Sequence, residues 1–254
     1  LSISKKKLMP EGPSIVILKE AVAEFKGRKV IEVAGNTKLD FGKLVGKKIT
    51  DFKSFGKNFF ICFGKNLSVR IHFMLFGTYR VNERKESPAR LSFICNKGEI
   101  NFYACSVQLV EDDLNKLYDW TADVMNENWD TAKARKKLKS MPDTLVVDAL
   151  LDQNIFAGVG NIIKNEVLYR IQVHPKNRVS DLPPKKITEM INQARIYSFD
   201  FLEWKKQYVL KKHWLAHTKR TCSRDGEKIM KEYLGKTNRR TFFCNKCQEL
   251  YKMK

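Results

Sequence analysis

Near residue 111 the hydrophobic period of this 254-residue chain changes. Upstream, "KVIEV", "KNFFICF", "LSVRIHF", "ARLSFIC" and "INFYACS" are short segments, mostly alternating in polarity and separated by Gly, Asn and Lys turns. That is the period of two expected of strands with one face buried. In "LSVRIHF", Leu67, Val69, Ile71 and Phe73 fall on one side and Ser68, Arg70 and His72 on the other; "CNKGE" at 95 to 99 reads as a hairpin. Downstream, "VEDDLNKLYDW", "DTAKARKKLKS", "PDTLVVDALL", "ITEMINQARIYSFDFLEW" and "KKQYVLKKHWLAH" carry helical spacing, with Ile187, Met190, Ile191 and Ala194 on one face. Strands followed by helices define an α+β chain rather than an alternating α/β one, with a boundary expected between 111 and 128.

Both ends of the chain raise chemical questions. At the start, Pro13 suits a first helical turn, and Ile15, Leu18, Val22 and Phe25 recur on one face before Gly27. Capping accounts for Pro13 and leaves Pro10 and Glu11 unexplained. If the working chain begins at Met9, removal of that residue exposes Pro10 as a secondary amine, which is a nucleophile. Leu1 is not an ordinary initiator, so residues 1 to 8 are expected to be an appendage or to be processed away. At the other end, "CSRDGEKIMKEYLGKTNRRTFFCNKCQ" reads as two polar-rich strands around a Gly turn, too small to own a core. Cys244-Asn-Lys-Cys247 places two thiolates at a spacing that suits one tetrahedral zinc, and Cys222 supplies a third. The fourth ligand is open: Asp225 stands where a second Cys-x-x-Cys would end, and His213 and His217 are rivals.

Charge and cysteine use narrow the function. Forty-eight Lys and Arg against 28 Asp and Glu give a net charge of +20. Such a chain is drawn to a polyanion, and nucleic acid is favoured over an anionic membrane, although a lysine-rich genome can produce the same bias. No apolar run approaches ~18 residues, and "LSISKKKLM" lacks the apolar core of a signal peptide. An intracellular chain without a membrane segment is expected, in the cytoplasm or nucleoid of a bacterium or the nucleus of a eukaryote. Cys62, Cys95 and Cys105 lie in strand-like segments and read as buried thiols rather than a disulfide framework.

Two further stretches suit phosphate. In "DQNIFAGVGNIIKNEVLYR" a tight Gly158-Val-Gly160 turn precedes a helix opening at Asn161, and helix N-termini bind phosphate oxygens without reading sequence. In "TNRRTFF" two adjacent arginines lie beside the metal-pinned strand, where a rigid guanidinium can grip phosphate bidentately. Taken singly, these are ordinary features: a tight helix connection and a solvated hairpin tip.

Together, Pro10-Glu11-Gly12-Pro13, Gly56-Lys57, "GVGNI" and "NRRTFFCNKCQ" resemble, in order and spacing, the formamidopyrimidine-DNA glycosylase and endonuclease VIII family, from Met9 to Gln248. The resemblance implies an N-terminal two-layer β-sandwich with a flanking helix over 9–115, a helical domain with a helix-two-turns-helix motif over 116–218, and a β-hairpin zinc finger over 219–254. It implies a monomer that binds damaged DNA, double- or single-stranded, with a structural Zn2+. Pro10 matches the nucleophile that attacks C1′ of the damaged nucleotide, Glu11 the acid, Lys57 the proton donor and phosphate contact of β-elimination, and Arg239 the finger arginine of δ-elimination. Asn161 matches the phosphate-binding asparagine. "HFMLFG" at 72 to 77 resembles the endonuclease VIII loop that fills the gap left by an extruded base, which assigns Met74, Leu75 and Phe76 to the wedge and His72 beside it to DNA contact.

Three departures bear on that expectation. Nine residues precede Pro10, and if they remain its nitrogen is a tertiary amide with no lone pair to offer, so translation from Met9 or processing is expected. The purine-directed branch carries an Arg-Phe pair where this chain has "ACSVQLVEDD", which leans toward oxidised pyrimidines. Asp225 stands where the bacterial pattern has cysteine. Base excision by a bifunctional glycosylase and lyase is therefore expected, the rival reading being a damaged-DNA-binding module whose proline nitrogen is blocked.

Overall fold

The computed structural model describes residues 10–251. The chain divides into two compact units, one ending at Tyr118 and the other beginning at Asp119.

The first unit is built on helix α1 (Gly12–Ala21) and six antiparallel strands, β1 (Val30–Ala34), β2 (Asp51–Phe55), β3 (Asn58–Cys62), β4 (Ser68–Val81), β5 (Leu91–Cys95) and β6 (Glu99–Val110). They form one sheet in the order β1-β5-β6-β4-β3-β2. Phe63, just past β3, lies 5.9 Å from Phe93 on β5, although β4 and β6 separate those strands in the ladder. The sheet is therefore folded over on itself into two layers, and a bridge between Lys29 and Lys48 ties its two edges. Ile15, Leu18, Val22 and Phe25, the predicted helix face, are buried with Val69, Ile71 and Phe73 in one core. Helix α1 ends at Ala21, and a 3-10 turn over Ala23–Phe25 carries the chain to Gly27, whose φ of +87° suits glycine.

Strand β2 has no clear alternation, because Lys53 and Ser54 stand together between Phe52 and Phe55, and the sequence reading passed over it. Its pairing with β3 supplies the order that its own pattern lacks. The hairpin at 95 to 99 is present, with Cys95 N–H donating to the Gly98 carbonyl at 2.9 Å. A short helix, α2 (Leu114–Leu117), closes this unit.

The second unit contains α3 (Thr131–Lys139), α4 (Val146–Leu151), α5 (Asn161–Arg170), α6 (Pro184–Lys206) and the hairpin β7 (Met230–Leu234) and β8 (Arg239–Phe243). Helix α5 is buried from Asn161 to Tyr169, polar residues included, so it is the central helix of this unit. Helix α6 buries Ile187, Met190, Ile191 and Ala194 as their spacing predicts. The segment "KKQYVLKKHWLAH" departs from expectation. The helix stops at Lys206, and Tyr208 takes the left-handed conformation at φ +61°, leaving only one 3-10 turn over Leu210–His213. Among the described residues no helix is long and apolar enough to cross a membrane.

Candidate functional site

In the first unit the predicted residues fall at element ends. Pro10 stands one residue before the N-cap of α1, which is Glu11, 1% exposed, with its backbone N–H directed at Ser14 Oγ 3.4 Å away in a capping-box arrangement. A carboxylate is thus held in the interior beside the Pro10 nitrogen's own residue, against the positive end of a helix. The expectations about residues 1 to 9, including Met9 as the start, lie outside the described residues.

Lys57 occupies, with Gly56, the two-residue turn joining β2 to β3, since Phe55 pairs with Asn58. Gly56 has φ +54°, as such a turn requires. Lys57 is therefore a turn residue at the junction of the two strands. Asn58 pairs across with His72, whose Nδ1 lies 3.2 Å from Asn58 Oδ1. Burial, with the nearby charges of Lys57 and Arg70, holds the His72 imidazole below its ordinary pKa, so the ring is neutral at neutral pH.

Met74, Leu75 and Phe76 lie inside β4, where the structure shows a large bulge in place of a loop. Phe73 pairs with Cys105 and Thr78 with Tyr103, so residues 74 to 77 stand opposite Ala104 alone. The surplus chain is pushed outward, and the three side chains are 57%, 50% and 61% exposed. Gly77 permits the return: a Cβ there would sit 2.7 Å from Phe73 and 2.8 Å from the Ala104 carbonyl.

In the second unit Asn161 begins α5 after Gly160, and its Nδ2 donates to the Arg240 carbonyl at 2.9 Å. Arg239 and Arg240 open β8 with exposed side chains. Beneath them lies a feature that sequence reasoning missed. Lys164, wholly buried, donates to Asn161 Oδ1 and to Thr241 Oγ1, both at 2.9 Å. Glu166, also wholly buried, accepts the backbone N–H groups of Leu215, Ala216 and His217 at 2.8 to 3.1 Å. Burial, with the Lys164 and Arg240 charges, pushes the His217 imidazole down to about 4, so it is neutral and accepts from Asn165 Nδ2 at 3.0 Å. The tip of the β7–β8 hairpin is fixed from α4, whose Asp148 carboxylate accepts the Lys236 N–H at 2.9 and 3.1 Å. Gly235 in that tip has φ +77°, and a Cβ there would lie 2.3 Å from Asp148 Oδ1.

Cys222, Asp225, Cys244 and Cys247 bring one ligand atom each into a cluster within 4.8 Å. Cys222 Sγ is 3.7 Å from Cys247 Sγ, and Cys244 Sγ is 3.3 and 3.6 Å from the two Asp225 oxygens. A tetrahedral metal with M–S bonds of about 2.3 Å would separate its sulfurs by about 3.8 Å, so the spacing and the sulfur-rich donor set both fit zinc. His213 lies elsewhere, stacked on Trp204 at 4.1 Å, and His217 packs against Trp214 and Phe242. The finger packs Cys222, Ile229, Phe242 and Cys244 against Tyr169 of α5 and Ala216, so its apolar residues share a small cluster with the rest of the unit.

A folded-over antiparallel sheet, a helical unit centred on a buried helix with a glycine-led N-terminus, and a cysteine-pinned hairpin define a class of α+β proteins. Within that class, the formamidopyrimidine-DNA glycosylase N-terminal domain model matches residues 9–105, and the formamidopyrimidine-DNA glycosylase H2TH domain model matches residues 109–197. The chain belongs to the formamidopyrimidine-DNA glycosylase and endonuclease VIII family of DNA-repair glycosylases. It is 29% identical over 243 residues to endonuclease 8-like 3 of Xenopus laevis, covering 87% of this chain and 38% of that protein. The mouse protein of the same name is 31% identical over 78% of this chain and 34% of its own length. The chain thus spans little more than a third of these relatives. A Lactococcus lactis formamidopyrimidine-DNA glycosylase, crystallised non-covalently bound to DNA containing an AP site, superimposes with a TM-score of 0.83 at 20% identity over 94% of this chain and 100% of that one.

Proposed function

We propose that this chain is a bifunctional DNA glycosylase and AP lyase that removes oxidised bases, pyrimidines foremost, from damaged DNA. The observation that carries the reading is the seating of Pro10 and Glu11: the proline stands immediately outside a helix whose first capping residue is a buried carboxylate. Family membership and the likeness to a glycosylase crystallised on AP-site DNA support it.

With Pro10 first in the working chain, its nitrogen attacks C1′ as the bond from C1′ to the base breaks. Glu11 supplies the proton needed to open the sugar or to release the base. An α-amine with pKa near ~8 is roughly a tenth unprotonated at neutral pH, far more than an unperturbed lysine. The resulting iminium is cationic and acidifies the 2′ protons; loss of one expels the 3′ phosphate by β-elimination. Lys57 serves that step from its turn, and Arg239 holds the flanking phosphate and serves the second elimination. Asn161 holds phosphate at the start of α5, and Met74, Leu75 and Phe76, with His72 behind them, fill the gap of the extruded base. Cys222, Asp225, Cys244 and Cys247 would hold a structural zinc, whose chemistry is to cross-link the two ends of the finger.

The test is borohydride reduction of the protein mixed with abasic-site DNA, followed by mass spectrometric mapping. A chain beginning at Pro10 should give an adduct on the Pro10 nitrogen, and one retaining a preceding residue should give none. An adduct of equal yield from the extended chain, mapped to another residue, would remove Pro10 from the mechanism. A chain beginning at Pro10 that binds such DNA without product would favour the non-catalytic module.

A further inference from the structure

We infer that Lys164 is a positioning residue: a buried ammonium that fixes which way the Asn161 carboxamide faces and, in the same arrangement, pins the backbone of both finger arginines. The inference deepens the proposed DNA reading and rests on it for its functional consequence, though not for its geometry.

The argument begins with hydrogen-bonding capacity. A lysine ammonium only donates, and a backbone carbonyl only accepts. Asn161 touches one of each, with Lys164 Nζ 2.9 Å from Oδ1 and the Arg240 carbonyl 2.9 Å from Nδ2. Reversing the amide would set donor against donor and acceptor against acceptor. Its orientation is therefore dictated, and one Nδ2 hydrogen goes to Arg240. The other stays on the donor side of the group, which is the side an anion needs.

The second bond of Lys164 extends the same control. Thr241 Oγ1 accepts from Lys164 at 2.9 Å and donates its own hydrogen to the Arg239 carbonyl at 3.1 Å. Through Asn161 and Thr241, one cation thus helps to hold the Arg239 and Arg240 carbonyls, beside the pairing of β8 with β7 and Asn165 Nδ2, which lies 3.4 Å from the Arg240 carbonyl. The backbone that aims the two exposed guanidinium groups is held from inside the unit. Lys164 touches no solvent, and Asn161 and Thr241 are 8% and 1% exposed, so water cannot replace these bonds. A lysine at this depth needs a reason, since burying a charge is costly unless it is hydrogen-bonded. Orienting a neutral amide toward phosphate is a reason that a methionine of similar length could not serve.

The test uses the full chain and five variants, Lys164→Met, Asn161→Ala, Thr241→Val, and the doubles of Lys164→Met and of Thr241→Val with Asn161→Ala, with metal content and thermal unfolding measured on each. Binding is read on a duplex carrying a tetrahydrofuran abasic analogue. Lys164→Met should keep its metal and weaken binding about 10- to 100-fold, the range for losing hydrogen bonds to a charged group. Adding Asn161→Ala to it should cost little more, because the amide has already lost the partner that seats its oxygen. Thr241→Val should weaken binding less and leave the effect of Asn161→Ala intact. Fully additive losses in the cycle would overturn the inference. So would a structure of Lys164→Met in which the carboxamide and the Arg240 carbonyl both keep their parent positions. If Lys164→Met does not fold, Thr241→Val decides: binding equal to the parent would overturn the inference. Should the parent itself ignore abasic DNA, the proposed function fails, while the orientation of the carboxamide in Lys164→Met still settles the clamp.

Discussion

At the residue scale the cost of Met74, Leu75 and Phe76 is the clearest statement of use. Burying a side chain of this kind is worth roughly 1.5–3 kcal/mol, and the bulge leaves all three largely exposed. Consecutive exposed apolar groups on an otherwise alternating strand point to a surface that is covered during function. Replacing Phe76 with Ala should therefore change unfolding free energy by less than ~0.5 kcal/mol, the usual size at a surface site, while lowering the rate of base excision at least tenfold. Urea unfolding and single-turnover excision check the two halves; a large loss of stability with normal excision would place Phe76 in the core instead. The sequence disclosed these three residues only through the likeness of "HFMLFG" to the endonuclease VIII loop, since the same apolar triplet taken alone reads as a turn buried in the sheet. It did not disclose Lys164, because a lysine one turn into a helix reads as a solvent-facing residue. Only the tertiary position of α5, buried on every side, reverses that reading.

Among elements, the β7–β8 hairpin is the least self-sufficient. Its two strands are five residues each, and its apolar cluster is small. A hairpin of this size is marginal by itself, and three anchors supplement it: the Cys222, Asp225, Cys244 and Cys247 cluster, the Asp148 carboxylate at its tip and the Lys164 bonds at its base. Removing metal with a strong chelator should raise hydrogen exchange in β7 and β8 while β3 and β4, in the other unit, keep their protection. Uniform loss of protection across both units would contradict this local role. The hairpin was legible from Cys-x-x-Cys and its Gly turn. The Asp148 anchor was not, because it joins positions nearly ninety residues apart and neither belongs to a motif. Strand β2 was missed for the related reason that its order comes from its partner, and "KKQYVLKKHWLAH" was overread because its spacing continued a helix that Tyr208 ends.

For the whole molecule, the strand-then-helix order was readable because hydrophobic period survives in any one sequence, whereas the folding-over of the sheet is a matter of long-range contact such as Phe63 with Phe93. The charge of +20 was equally plain, but charge alone does not say where an anion is held. Salt dependence separates general attraction from positioned contact. Each phosphate contact made by a cation adds about −0.9 to the slope of log K against log salt on duplex DNA. Arg239→Ala should reduce the magnitude of that slope by about one and Arg239→Ala with Arg240→Ala by about two, because both side chains are exposed at the start of β8. Asn161→Ala should lower affinity with the slope unchanged, since a neutral amide displaces no counterion. Fluorescence anisotropy over a range of salt concentrations reads all of these. Equal slopes for the parent and the double arginine variant would mean that the finger arginines touch no phosphate, and the attraction would then belong to the diffuse charge of the chain.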